Sequence, residues 1–294
     1  MTAPPAAGHP LAGILITLLG VFVFSGSNAL AKWLVGSYPV GETLFFRSAV
    51  ALLILLPLIG RREVAQARAG GRFGLHALRC GFSAIEVGCF YWAITAVPLA
   101  DASAIYLACP IYVTALGALF LGERVGWRRW AAVLAGFAGV LVALQPGSGS
   151  LSPQAMVAVG GSLLYAVSLA ATRRLRGTPN IVLVASQVAA LNLLALATAP
   201  FGWVMPSARD AVALALVGVI SLVGYLCVNR GLQLAPASAV APFQYSSIVW
   251  ATALGYVVFG EAPGAALLLG SAIIVAAGVA VVLSERRAPI LRKG

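Results

Sequence analysis

Two stretches of this chain are versions of one another. Ala102-Ser103-Ala104, followed by Thr114-Ala115-Leu116-Gly117 and Gly122-Glu123, is matched by Ala237-Ser238-Ala239, followed by Thr252-Ala253-Leu254-Gly255 and Gly260-Glu261. The offset drifts from 135 residues at the serines to 138 at the glutamates, which marks a short insertion between them. Phe24, Ser27 and Lys32 answer Tyr165, Ser168 and Arg173 in a fainter echo at an offset of 141. A repeat of this length means that the fold is built twice.

The medium in which it is built follows from composition. Hydrophobic residues make up 61% of the chain and charged ones 9%, against roughly 45–50% and ~25% in soluble domains. A bilayer crossing takes ~20 mostly apolar residues. Ten such spans are predicted, at 11–34, 40–59, 75–97, 102–121, 130–145, 154–172, 180–202, 211–233, 238–259 and 266–284.

The net charge of +11 is a topology signal. Arg61, Arg62, Arg68 and Arg72 follow span two, Arg124, Arg128 and Arg129 span four, and Arg173, Arg174 and Arg176 span six; Arg286, Arg287, Arg292 and Lys293 lie in the tail. The alternate loops carry almost none, apart from Arg209. The positive-inside rule then puts both termini in the cytoplasm. The alternation excludes a nucleic-acid-binding role. Met1 to Pro10 lacks Lys and Arg, which speaks against a cleaved secretory leader. Cys80, Cys89, Cys109 and Cys227 have neither disulfide nor metal-ligand spacing, and the only histidines are His9 and His76.

Five crossings separate equivalent points, so the second copy enters the membrane upside down. Glu123 precedes Arg124, Arg128 and Arg129, suited to the inside; Glu261 precedes Ala262, Pro263 and Gly264, suited to the outside. The expected fold is an all-α membrane protein of ten transmembrane helices in two inverted five-helix repeats. Residues 1–145 form the first repeat, 146–153 a periplasmic Pro/Gly/Ser linker, 154–284 the second repeat and 285–294 a cytoplasmic tail. Inverted repeats suit alternating access, because two conformations exchanged between halves carry a midplane site from one face to the other.

The order of short motifs is similar to that of a known family. Pro39 through Phe46-Arg47, Ala-Asp-Ala-Ser-Ala before Pro110, Gly122-Glu123-Arg124-Val125, Ala-Pro-Ala-Ser before span nine, Ala241-Pro242-Phe243-Gln244-Tyr245 and Phe259-Gly260-Glu261 together cover nearly the whole chain. The pattern resembles the drug/metabolite transporter superfamily and, within it, the ten-span EamA-type exporters. Among members it is most similar to bacterial exporters of amino acids, aromatic ones included. The resemblance implies a multi-pass protein of the bacterial inner membrane that exports a small-molecule substrate.

An ionisable group inside a span costs roughly 2.5–3.5 kcal/mol on insertion scales and persists only with a partner or a polar cavity. Lys32, Arg47, Arg79 and Glu86 qualify. His76, Arg79, Ser83 and Glu86 are spaced three, four and three, one stripe of a helix facing a cavity or other helices. Glu86, near the middle of span three, either binds a substrate ammonium or takes up a proton, which would couple transport to protons, or pairs with Arg47 or Lys32. Arg47 is expected in a packing or ion-pair role; Lys32 and Glu42 pair across the loop 36–41 in one reading.

Ser27 and Asn28 present hydroxyl and amide groups in span one, or serve helix packing. Tyr91, Tyr106, Tyr165, Tyr225, Gln244 and Tyr245 are candidate pocket residues beside Glu86, and Pro110 and Pro242 are kink points for gates. A central cavity between spans one, three, four, six, eight and nine follows from these choices. Spans five and ten hold small and aliphatic residues, and pack as scaffold or against a second copy of the chain. No phosphate-cradling loop calls for a cofactor. Efflux of lipophilic cationic drugs is the alternative transport reading. An integral-membrane enzyme would need His or clustered acids at the membrane boundary, and the acids here are scattered.

Overall fold

A computed structural model describes residues 10–109, 112, 127–144, 152–175, 178–234 and 243–287. The described helices are α1 (Pro10–Val35), α2 (Val40–Leu55), α3 (Arg61–Ala69), α4 (Phe73–Ala93), α5 (Leu99–Leu107), α6 (Trp127–Leu144), α7 (Pro153–Arg174), α8 (Asn180–Leu196), α9 (Ala208–Leu234), α10 (Ser247–Phe259) and α11 (Ala265–Arg287). No strand occurs among the described residues. Lipid offers no hydrogen bonds to a backbone, and the helix alone satisfies its own. Stretches long and apolar enough to cross a membrane lie in Leu11–Val35, Val40–Leu58, Pro153–Thr172 and Ala208–Val228, and shorter apolar helices occupy Asn180–Leu196, Ser247–Phe259 and Ala265–Ala277.

Prolines set where several helices begin. Pro39, Pro98 and Pro179 stand immediately before α2, α5 and α8, each extended with ψ of 143°, 145° and 136°. A proline fixes φ and has no amide hydrogen to leave unsatisfied. Pro39 and Pro179 are 140 residues apart, so the two copies start their second helix alike. Helix α7 opens on Ser152, whose hydroxyl accepts from the Ala155 amide at 3.1 Å.

The packing pairs come in twins. Helix α1 lies on α9 as α7 lies on α4; α2 touches α9 as α8 touches α4; α1 meets α10 as α7 meets α5. Helices α2 and α8, α5 and α10, and α6 and α11 pair with each other. Exchanging the halves maps this pattern onto itself. The match reaches single contacts: a methyl group on Gly20 of α1 would stand 2.8 Å from Cys227 Cβ of α9, and one on Gly161 of α7 would stand 2.7 Å from Cys89 Cβ of α4. Gly20 and Gly161 are 141 residues apart, Cys89 and Cys227 138.

Close approach of this kind holds membrane helices together, since lipid is as apolar as leucine and burial alone gives little. Gly139 and Ala143 of α6 do the same against Gly270 of α11. A methyl on Gly270 would stand 2.6 Å from the Gly139 carbonyl oxygen and 2.6 Å from the Ala143 nitrogen. The buried centre gathers Leu34 of α1, Tyr91 and Ile94 at the end of α4, Leu99 of α5, and Leu214 and Val217 of α9.

Several boundaries differ from the sequence expectation. Span three was placed at 75–97, but α4 runs Phe73–Ala93 and a turn leads to Pro98, behind which α5 begins at Leu99. Span seven was placed at 180–202; α8 ends at Leu196 and a 3₁₀ turn over Ala199–Phe201 closes on Gly202 at φ 95°. The short helix α3 was not expected: its charged sequence carries no apolar stripe, and it lies beside α8. Pro110, Pro242, the first-copy segment Thr114 to Glu123 and the linker Pro146 to Ser150 lie outside the described residues.

Gly270→Val drives a branched side chain into the α6 backbone, an overpacking cost of about 1–3 kcal/mol. Thermal unfolding in detergent should show a lowered midpoint, whereas Gly160→Ala, whose methyl meets nothing within 4 Å, should leave it within a degree or so of the parent. Equal midpoints for all three proteins would refute this account of the α6–α11 contact.

Candidate functional site

The polar stripe of α4 faces protein along its length. At one end the His76 Nε2 lies 2.9 Å from the Ser186 hydroxyl of α8. One turn on, Arg79 is 3% exposed and donates from Nη2 to the Leu183 carbonyl at 2.6 Å and from Nη1 to Gln187 Oε1 at 3.4 Å. Ser83 and Glu86 follow, 2% and 5% exposed. Among the described residues no cation stands within ion-pair distance of Glu86. Its carboxylate lies within electrostatic reach of Arg47 and of Tyr106, Tyr165 and Tyr225.

Arg47 reaches this cluster from α2. It too is buried, and it is held by Nη1 donating to the Tyr91 hydroxyl at 2.6 Å and Nε donating to Ser221 Oγ at 3.2 Å. The Tyr91 and Phe24 rings lie 5.1 and 5.8 Å from its guanidinium carbon. Gly218 lets α9 come this close: a methyl there would stand 2.6 Å from the Arg47 carbonyl oxygen. No carboxylate lies within ion-pair distance of Arg47 or Arg79 among the described residues.

Between these groups is a pocket of about 20 Å³ lined by Arg47, Ser48 and Ala51 of α2, Ser83 and Val87 of α4, Gln187, Val188 and Leu191 of α8, and Ser221, Leu222 and Tyr225 of α9. The lining is symmetric by sequence. Positions 47, 48 and 51 recur at an offset of 140 as 187, 188 and 191, and positions 83 and 87 recur at 138 as 221 and 225. The pocket therefore lies on the axis relating the two copies. It departs from the expected cavity between spans one, three, four, six, eight and nine. Helices α2 and α8, passed over in that expectation, supply six of the lining residues, because Arg47 and Gln187 are twins on the axis. A volume near 20 Å³ holds about one water, so anything larger enters only when the helices part.

At one end of the bundle a larger opening of about 380 Å³ lies between α2, α8 and α9, lined by Leu55, Asn180, Ile181, Val184, Leu226 and Arg230. The apolar cluster of Ala51, Leu55, Val184, Val188 and Leu222 separates it from the axial pocket. At the opposite end, Lys32 of α1 forms an ion pair with Glu261. Gly260, left-handed at φ 69°, ends α10, and the Glu261 amide donates back to the Gly255 carbonyl at 3.1 Å. This left-handed cap aims the Glu261 side chain inward, where its second oxygen accepts from the Leu99 amide at 3.0 Å. Lys32 Nζ also donates to the Val97 carbonyl at 3.0 Å and lies 5.3 Å from the Phe259 ring centre. The repeated Gly-Glu signature is, in the second copy, a helix cap carrying a latch.

The chain matches the EamA-like transporter family over residues 11–145 and 153–284. It belongs to that family. Its relatives include a pseudopaline exporter of Pseudomonas aeruginosa, 33% identical with 92% of this chain and 95% of the relative aligned. A riboflavin transporter of Rhizobium johnstonii is 30% identical over 94% of this chain and 92% of its own length. An S-adenosylmethionine uptake transporter of Rickettsia felis is 24% identical over 95% of both. A solved structure superposes with a TM-score of 0.64 at 22% identity, covering 94% of this chain and 99% of the other, which supports the fold. The chain is a multi-pass membrane transporter of small metabolites and not an enzyme.

The EamA-like bundle brings Arg47, Tyr91, Tyr106, Tyr165 and Tyr225 into the neighbourhood of Glu86, and of these Arg47 and Tyr225 line the axial pocket; the Tyr106 and Tyr165 rings are 6.3 Å apart and the Tyr106 hydroxyl donates to the Glu86 carbonyl at 2.9 Å. Tyr245 is buried in a neighbouring apolar cluster with Tyr112 and Val140, and Gln244 beside it is half-buried. The Ser27 hydroxyl donates to the Val217 carbonyl at 3.1 Å in the α1–α9 contact, and Asn28 is half-buried. Two expected pairings are corrected. Lys32 does not pair with Glu42, because the cap at Gly260 brings Glu261 to it, and Glu42 instead accepts from the Val204 amide at 3.0 Å. Glu86 pairs with neither Arg47 nor Lys32, since Tyr91 and Ser221 hold the Arg47 fork and Lys32 is engaged at the far end.

Tyr91→Phe removes the acceptor of a charged, fully buried donor, a loss of about 1.5–3 kcal/mol. The unfolding midpoint in detergent should fall clearly below that of the parent. An unchanged midpoint would show that the Arg47–Tyr91 hydrogen bond holds little of the site together.

Proposed function

We propose that this transporter is a bacterial inner-membrane exporter of amino acids, aromatic ones included, working by alternating access at the axial pocket. The observation that carries the reading is the twin lining of that pocket, since inverted-repeat carriers bind their substrates at the repeat interface near the midplane. The reading includes ten crossings, cytoplasmic termini, repeats at 1–145 and 154–284 joined by 146–153, and a tail at 285–294. Support for the topology comes from the alternating basic loops and the twinned helix contacts.

A zwitterion needs opposite charges for its two ends. Arg47 offers a planar fork matched to a carboxylate, and Glu86 an acceptor for an ammonium. Tyr106, Tyr165 and Tyr225 provide ring faces for an aromatic side chain. Both charges are buried without a protein counter-ion in contact, so a ligand that supplies both partners gains more than a hydrocarbon of equal size. A lipophilic cation would meet Arg47 and Arg79 as well as Glu86, and the charge balance disfavours that alternative. Export is supported by the overall resemblance and by the exporter among the relatives.

On the proposed topology the latch at Lys32 and Glu261 is external and the 380 Å³ opening is cytoplasmic, so this conformation is closed outside. Uptake into proteoliposomes from a panel of amino acids and organic cations, with and without a proton gradient, tests the reading. Neutral amino acids should be carried, and Glu86→Gln should lower their transport about 10- to 100-fold, the worth of one charge-assisted hydrogen bond. Folded protein that moves cations and no amino acid would overturn it.

Glu261→Gln or Lys32→Ala should loosen the external seal. In a background with the four native cysteines replaced, Asn28→Cys should react several-fold faster with an impermeant thiol reagent applied outside. Equal rates with and without the latch would refute its sealing role.

A further inference from the structure

Among the described residues the charges around the axial site do not balance, and this points to the substrate. An arginine keeps its proton in proteins, so Arg47 and Arg79 contribute two positive charges. Glu86 contributes at most one negative charge. Whichever form Glu86 takes, the group is net positive, in a bilayer interior that penalises unbalanced charge. His76, the remaining titratable side chain of the α4 stripe, adds none of the missing negative charge.

Arg79 is also incompletely satisfied. Its Nη atoms reach the Leu183 carbonyl, Ser186 and, weakly, Gln187 and the Cys80 sulfur, but its buried Nε has no partner. The group it touches most usefully is Gln187, which lines the axial pocket and is the sequence twin of Arg47. Ser83, one helical turn from Arg79 on the same face, lines the pocket as well. The Arg79 guanidinium thus sits behind the lining, in contact with Gln187 on the α4–α8 side, while Arg47 lines the pocket from α2.

We propose that the preferred substrate is an amino acid bearing a second acidic group, with one carboxylate on Arg47, the ammonium at Glu86 and the further carboxylate at Arg79. This rests on the axial pocket being the transport site. Such a ligand carries net negative charge and neutralises the cluster, whereas a neutral zwitterion leaves one positive charge buried and a cation leaves more. Gln187 moves aside or shares the carboxylate as the helices part to admit it.

Proteoliposomes loaded with either glutamate or 2-aminoadipate on one hand, or glutamine and phenylalanine on the other, provide the test. The parent should prefer the acidic members by about tenfold or more, the scale of a charge-assisted pair. Arg79→Gln should bring that ratio to about one, and Arg79→Lys should keep part of it. Gln187→Glu, isosteric and placed to pair with Arg79, should abolish the preference even where Arg79→Gln fails to fold. Ligand-induced shifts of the unfolding midpoint should rank the same compounds in the same order. A parent that prefers the neutral members, or a ratio unmoved in both Arg79→Gln and Gln187→Glu, would overturn the proposal while leaving the axial transport site standing. Folded protein that carries neither class would overturn both.

Discussion

A polar group inside a bilayer must find its partner inside the protein, and nearly every local feature of this chain answers that demand. Backbone amides are consumed by helices. Prolines begin α2, α5 and α8, where an amide hydrogen would have no acceptor. Ser25, Ser48, Ser103 and Thr172 return their hydroxyls to carbonyls one turn back. Against this background of satisfied groups, the few that are not satisfied carry information. Among the described residues the buried Nε of Arg79 has no hydrogen-bond partner and Glu86 has no ion-pair partner, in a region where lacking one is costly.

The second organising fact is the duplication, which turns a sequence offset into a spatial axis. Residues separated by 138 to 141 positions occupy equivalent sites in the two halves, and those that face their own twins must lie on the axis. Arg47 and Gln187, and Ser83 and Ser221, do so. The geometry of the pocket is thus inherited from symmetry, while its chemistry comes from the places where symmetry fails. Arginine stands opposite glutamine, and Glu86 answers Gly224 at the 138 offset. Shape is shared between the halves and charge is not.

Much of this was legible in the chain. The apolar stretches and the polar stripe from His76 to Glu86 follow from composition and spacing, whereas the gathering of Tyr106, Tyr165 and Tyr225 near Glu86 does not. The axial pocket does not follow from polar content helix by helix: Arg47 alone reads as a packing or ion-pair residue, and nothing on α8 by itself marks Gln187 as its counterpart. Applying the repeat offset to Arg47 would have led to Gln187 and so to the axis. The latch was missed for a different reason: Lys32 and Glu261 are 229 residues apart, and only the left-handed turn at Gly260 aims the glutamate at α1. Charges within one loop, Lys32 and Glu42, were the nearer choice in sequence but not in space. Helix α3 escaped because a search for apolar spans passes over a short charged helix.

A carrier built from inverted copies faces a conflict between these two facts. Alternating access requires the two ends to exchange roles, which favours likeness between the halves. Recognition of an asymmetric ligand requires difference at the centre. The structure treats the demands at different positions: twin glycines keep the α1–α9 and α7–α4 contacts alike, while the unlike charges of Arg47, Arg79 and Glu86 lie at or near the axial pocket. On the proposed alternating-access cycle these surfaces exchange conformations at nearly equal energy, while the ligand meets the same charges from whichever side the pocket is open. On that arrangement substrate choice can change through a few axial residues without disturbing the contacts that move, which fits a family whose members named above carry chemically different cargoes.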